Sequence, residues 1–427
     1  MLRSWVRNAA AMTILLSQAA QGADLSRPTG SADFSTLGDQ LFRQARFDEA
    51  QAAYAQALGA DRRNFRAHIG MGRIASLLSD LRGATQHFST AYQIAPFNPD
   101  AILFFADVVE ERASRNILLR NFLALAARDR DSRIPAVAAR LASEEGLQSR
   151  IGAAPCNQLE SPYQPYSIPL SKQRTWALQL EASINGRAPL HLIVDTGASG
   201  ITLNASSART RDLDFLAPIA VLGFGPSKPA TGREALARSL RAGDLELANV
   251  LVVVAGMEVS QDADGVIGPD VFRQFLIKLN ARARRLDLTP LPEPAPANPR
   301  ATRAYRINHL LLLRGKVNGA SEGYFILDSG SRYTLISRDL ATSAGQPGTI
   351  KGVQGEFTAG FPASPLNLHI GSREFVDFEY ATLDTSEISV RSGTEIGGVL
   401  GLPLLSNIAL TLDYRDGLVE FASKNRD

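Results

Sequence analysis

The stretch Asp195-Thr196-Gly197-Ala198-Ser199 follows directly on an apolar run, Leu190-His191-Leu192-Ile193-Val194. A short apolar run that ends at a turn reads as a buried strand. An aspartate placed after such a strand is costly to bury unless its charge is paired, hydrogen-bonded or shared. The glycine two residues on permits a turn that other residues resist. Standing alone, such a triplet is equally what an ordinary loop after a strand would contain.

The same construction returns 133 residues later, where Tyr324-Phe325-Ile326-Leu327 leads into Asp328-Ser329-Gly330-Ser331. Other landmarks keep this offset. Asn185-Gly186 falls on Asn318-Gly319, each a hairpin-turn signal ahead of the Asp strand. Gly265-Val266-Ile267-Gly268 falls on Gly398-Val399-Leu400-Gly401, and Phe275, Ile277 and Leu279 fall on Ile408, Leu410 and Leu412. The register slips inside each copy, where Gly243 corresponds better to Gly371. Matched landmarks at a fixed offset mark an internal duplication, which decides the architecture.

Two copies of apolar-apolar-Asp-(Thr/Ser)-Gly, each followed by an apolar-apolar-Gly segment, resemble the aspartic peptidases over roughly residues 160–425. The lobes are short, as in retropepsin-like enzymes, but joined in one chain, as in pepsin-like ones. The resemblance implies an all-β, two-lobed aspartic-protease fold, with lobe one at 160–290 and lobe two at 301–427. It implies Asp195 and Asp328 as the catalytic pair. Thr196 and Ser329 would supply interlocking hydroxyls beneath the pair, while Gly197 and Gly330 let the two loops approach. A substrate flap is expected at Gly223, Phe224 and Gly225, with Gly352 and Gly355 at the comparable place in the second copy. The flap tyrosine of pepsin-like enzymes has no identifiable counterpart. A hydroxyl after the motif, donating to the carboxylate, is expected at Ser331 but not at Ala198. Arg332 stands where a small residue is more usual, facing either solvent or the cleft.

Ahead of this region lies helical periodicity. Phe47, Ala50, Tyr54 and Ala57 recur 34 residues later as Leu81, Ala84, Phe88 and Ala91, and more weakly as Leu118, Phe122 and Leu125. The period resembles tetratricopeptide (TPR) repeats, stacked helix pairs that bury a face together. The expected organisation is therefore multidomain: an all-α, TPR-like helical-repeat domain at 34–148, with a capping helix within about 132–147, followed by the two lobes. The repeats are expected either to bind a protein or peptide partner or to act as a spacer. If they bind, removing 34–148 should spare cleavage of short peptides but weaken cleavage of the natural protein substrate, whereas equal loss on both would make the repeats a structural support. Residues 24–33 read as a polar linker, and the Gly and Pro residues of 148–165 mark a boundary. Trp176 to Ile184 alternates as a strand. Pro290, Pro292, Pro294, Pro296 and Pro299 mark a semi-extended linker.

The first 23 residues resemble a secretory signal, with Arg3 and Arg7 ahead of an apolar stretch, Ala9 to Leu16, too short to span a bilayer. Export, periplasmic or secreted, is the expectation, with no membrane span after signal removal. The chain of 427 residues has a formal net charge of +2, so no net basicity suggests a nucleic-acid partner. Its one cysteine, Cys156, excludes an internal disulfide and reads as an incidental thiol. The five histidines lack metal-ligand spacing, and no cofactor or metal is expected. His191, on the Asp195 strand, reads as a satisfied core or edge residue. The expected activity is an aspartic endopeptidase that uses a two-carboxylate dyad and an activated water. The alternative is a TPR-based partner-binding protein on an inactive protease-like scaffold.

Overall fold

The computed structural model describes residues 30–171, 177–221, 223, 230–293, 298–341, 343–352 and 355–422. The expected signal sequence, Trp176, Phe224, Gly225, Pro294 and Pro296 lie outside the described residues.

Seven helices open the described chain: α1 (Ser31–Arg43), α2 (Phe47–Ala60), α3 (Phe65–Leu77), α4 (Leu81–Ile94), α5 (Pro99–Val108), α6 (Arg112–Asp129) and α7 (Ile134–Ile151). The linker expected through residue 33 is therefore helical from Ser31. Asp33 in the first turn suits the positive end of the helix and accepts the Gly30 N–H. The 34-residue period is visible in the caps as well as in the core. Asn64 and Asn98 each turn a side-chain oxygen onto a backbone N–H three residues on, at 3.0 and 3.1 Å. Tyr54 and Phe88 occupy equivalent buried places on α2 and α4. Tyr54 fits because its neighbours are glycines: a Cβ at Gly38 or Gly70 would sit 2.5 or 2.3 Å from its ring.

The rest is strand-rich and built twice. In both copies the Asn-Gly turn before the Asp strand has both residues at positive φ, 53° and 68° then 48° and 72°. The slip inside the copies has a plain cause. The hairpin turning at Gly243 has strands of 13 and 11 residues, and the one turning at Gly371 has strands of 5 and 6. The alternating strand expected from Trp176 runs over Gln179–Ile184.

One antiparallel sheet joins the halves. Its order is Tyr166–Ser171, Arg285–Pro290, Phe275–Asn280, Ala409–Asp413, Leu418–Ala422, Thr302–Ile307. At its centre Ile277 pairs with Leu412, and Leu279 with Leu410. These are the duplicated positions crossed over, so a local two-fold axis passes through the Lys278–Thr411 pair. A self-complementary contact of this kind is what two identical subunits would make.

The helices are not a separate appendage. Phe47 stacks on Tyr305 with ring centres 5.6 Å apart and meets Tyr324 edge-on at 4.8 Å. Thr394 Oγ1 donates to the Phe42 carbonyl at 2.7 Å, and the Glu395 N–H to the Arg43 carbonyl at 2.8 Å. At the other end of the array, Leu147 of α7 packs with Leu236 and Leu251 of the first half, and Ser143 donates to Glu234. The array therefore grips the second half with α1–α3 and the first half with α7. Removing 34–148 would thus uncover apolar faces on both halves.

Truncating Phe47 to Ala is expected to cost about 3–5 kcal/mol. In urea unfolding followed by both far-UV circular dichroism and tyrosine fluorescence, the two signals should shift together. A loss confined to the helical signal would mean that the array is an independent spacer.

Candidate active site

Both Asp residues are placed by the same local arrangement. The strand Leu190–Val194 runs parallel to Gly265–Ile267, and Ser321–Leu327 runs parallel to Gly398–Leu400. The Asp195 N–H then donates to the Ile267 carbonyl at 3.0 Å, and the Asp328 N–H to the Leu400 carbonyl at 3.1 Å. Gly265 and Gly398 allow the crossing, since a Cβ on either would lie 2.1 Å from a backbone carbonyl oxygen, that of Thr202 or of Leu335.

The two loops meet through reciprocal hydrogen bonds. Thr196 Oγ1 donates to the Leu327 carbonyl at 2.9 Å and accepts the Ser329 N–H at 2.8 Å. Ser329 Oγ donates to the Val194 carbonyl at 2.9 Å and accepts the Thr196 N–H at 3.1 Å. Both hydroxyls are buried. Each motif glycine then abuts the carboxyl of the opposite half. A Cβ at Gly197 would sit 2.7 Å from Asp328 Cγ, and one at Gly330 would sit 2.2 Å from Asp195 Cγ. Any side chain at either position would push the aspartates apart.

Both aspartates keep some exposure to solvent, yet burial dominates their electrostatics. Desolvation raises Asp195, opposed by the Gly197 N–H on its Oδ1 at 2.8 Å and by a hydrogen bond from Asp328. Desolvation raises Asp328 well above the ordinary carboxylate range, and the negative charge of Asp195 pushes it the same way. Both carboxyls are thus pushed toward the protonated form, Asp328 the more strongly.

Ser331 departs from expectation. Its hydroxyl donates to the Tyr333 carbonyl at 2.7 Å, and only its backbone N–H acts on Asp328. A carbonyl two residues along captures the hydroxyl locally. Arg332 is exposed, and no interaction with either carboxyl is described for it. His191 is exposed on its strand, and its N–H is held by Asp264 Oδ2. Cys156 packs beside the Leu147 cluster.

Gly223 and the Gly352 and Gly355 pair lie at hairpin ends. The first hairpin is Asp214–Val221 with Ala230–Ala242, and Gly223 lies between its strands. The second is Gln346–Gly352 with Gly355–Phe361, where Gly352 pairs with Gly355. Arg391, in the helix Ser386–Ser392 of the second half, donates to the Gly223 carbonyl at 2.8 Å. Two contacts at the site escaped the sequence reading. Asp270 accepts Ser199 Oγ and the Gly200 N–H, both at 2.9 Å, which fixes the turn after the first motif. His309 reaches the Gly197 carbonyl. Its sequence signal is only its place at the head of the hairpin that carries Asp328.

Residues 180–271 match the aspartyl protease family, a segment that holds Asp195. This match supports an aspartic peptidase family for that segment. No curated protein matches the chain. Among solved structures, an aspartic proteinase from Irpex lacteus is similar at 13% identity and a TM-score of 0.40, over 61% of this chain and 98% of that one.

The raised Asp328 has a consequence for stability. A carboxyl whose folded pKa exceeds its unfolded value, about 3.9, favours the folded state when protonated, so stability falls as pH rises from about 4 through the folded value. Asp328→Asn removes that loss. Thermal unfolding should show the variant more stable than wild type at pH 7.5, by about 1.4 kcal/mol for each unit of the shift, and nearly equal at pH 3.5. An equal or lower stability at pH 7.5 would mean that Asp328 is not held protonated.

Proposed function

We propose that the chain is an aspartic-type endopeptidase whose two lobes, 160–290 and 301–427, contribute one aspartate each. The observation that carries this reading is the reciprocal Thr196–Ser329 bonding, with each glycine against the opposite carboxyl. With one proton shared, the ionised carboxylate takes a proton from a water. The protonated partner donates to the scissile carbonyl as the tetrahedral species forms. The steps need neither a metal nor a covalent intermediate. The hairpin at Gly223 and its counterpart at Gly352 and Gly355 would cover a bound peptide.

In this reading the helical repeats are TPR-like and have two tasks. They brace both lobes, and they offer a surface that recruits a substrate or partner protein. The positive charges of Arg3 and Arg7 and the apolar stretch that follows them support export; intact-mass measurement of the exported protein should then give a new N-terminus near Ala23. A dyad desolvated in this way, with Ala198 unable to donate and Ser331 turned to Tyr333, should work from mildly acidic to near-neutral pH.

Asp195→Asn and Asp328→Asn test the reading. Each should lower kcat on a quenched fluorescent peptide library by about 10²- to 10⁴-fold, the usual range for loss of an acid–base group. Far-UV circular dichroism should stay unchanged. Wild-type protein inactive across pH 4–8 would favour the partner-binding scaffold instead.

A further inference from the structure

His309 lies in the turn between Thr302–Ile307 and Leu310–Val317, just after Asn308 at φ 55°. The turn belongs to the second half, but the ring crosses to the first. Its Nε2 is 3.1 Å from the carbonyl oxygen of Gly197. A carbonyl can only accept, so Nε2 carries the hydrogen, in the neutral Nε2–H tautomer or in the cation. Gly197 is also the residue whose N–H holds Asp195 Oδ1. The imidazole therefore grips the peptide segment that grips the carboxylate. It adds a link from the second half to the first motif loop, beside the two hydroxyls.

The contact is one-sided. The position 133 residues before His309 is Trp176, which has no titrating group, so the duplication supplies no second imidazole. A cation at 309 favours the ionised form of Asp195. Nothing comparable acts on Asp328, which feels the Asp195 charge instead. Asp270, Arg273, Arg306 and Tyr414 interact with one another, and Tyr414 also with Asp195. Burial pushes the Tyr414 hydroxyl well above its ordinary value and lowers Arg306 only to about 10. Neither changes charge between pH 4 and 8.

We propose that His309 is a positioning residue that fixes the Gly197 segment against Asp195 and, when protonated, makes Asp195 the ionised member of the pair. Asp328 then carries the shared proton. This rests on the peptidase reading for its kinetic consequences but not for its electrostatic ones. The ionised member survives to lower pH while the imidazolium is present, so the acid limb of activity lies lower than the buried pair alone would set it.

Two substitutions separate the donor from the charge. His309→Gln keeps a neutral N–H donor for Gly197, and His309→Ala keeps neither. On a quenched peptide, His309→Gln should move the acid limb of kcat/KM upward by half a pH unit or more and leave the plateau within about threefold. His309→Ala should show the same shift and also a plateau kcat lower by tenfold or more. The same variants carrying 13Cγ-labelled aspartate read Asp195 without turnover, and its titration should move upward in both. If wild type proves inactive on every peptide, the peptidase reading fails while this titration still decides the role of His309. An Asp195 titration unchanged in both variants would overturn the proposal, as would an unshifted acid limb in His309→Gln.

Discussion

The reciprocal bonding of Thr196 and Ser329 is the constraint on which the rest depends. Each hydroxyl donates to the other half's backbone just before the aspartate and accepts the N–H of the other half's motif. Four bonds closed inside a buried site leave little freedom for the loops to slide. Losing either hydroxyl would strand a buried N–H and a buried carbonyl, each costing about 1–3 kcal/mol. The geometry also explains the glycines. With the loops this close, the space beside each carboxyl is already filled by the opposite backbone. The burial that raises both carboxyls, and the nearness of Asp195 that raises Asp328 further, are thus enforced from below by groups that do not themselves titrate.

That enforcement needs support at longer range, and the fold supplies it twice. The six-stranded sheet joins the halves through strands that cross over at the local two-fold axis. The helical array then spans them on the outside, with Phe47 seated against Tyr305 and Tyr324 at one end and Leu147 against Leu236 and Leu251 at the other. Helix pairs that must bury a face against a neighbour here find part of that neighbour in the strands. The helical array and the two halves that carry the site are thus packed as one structure.

Much of this was legible in the sequence because it is local. The Asp loops, the Asn-Gly turns and the Gly265 and Gly398 segments repeat at one offset, and a turn that needs positive φ or a close crossing writes itself as glycine. The 34-residue period was legible for the same reason. What was not legible depends on register between distant segments. Phe47 reads as one more repeat aromatic, and nothing local says that it faces two tyrosines of the second half. His309 reads as a stray histidine, because its contact spans 112 residues of sequence. Ser331 misled in the opposite sense. Its place in the motif suggested a donor to the carboxylate, but a hydroxyl turns to the nearest good acceptor, and Tyr333 offers one two residues away.

The central claim is that two aspartates from two halves titrate as one pair sharing a proton. The direct measurement is a 13Cγ titration of selectively labelled aspartate, with Asp195→Asn and Asp328→Asn identifying the two resonances. The account predicts two macroscopic steps several pH units apart, both resonances responding to each step, and a single simple step for the aspartate that remains in either variant. Two independent titrations near the ordinary value of about 4, unaffected by removal of the partner, would contradict it.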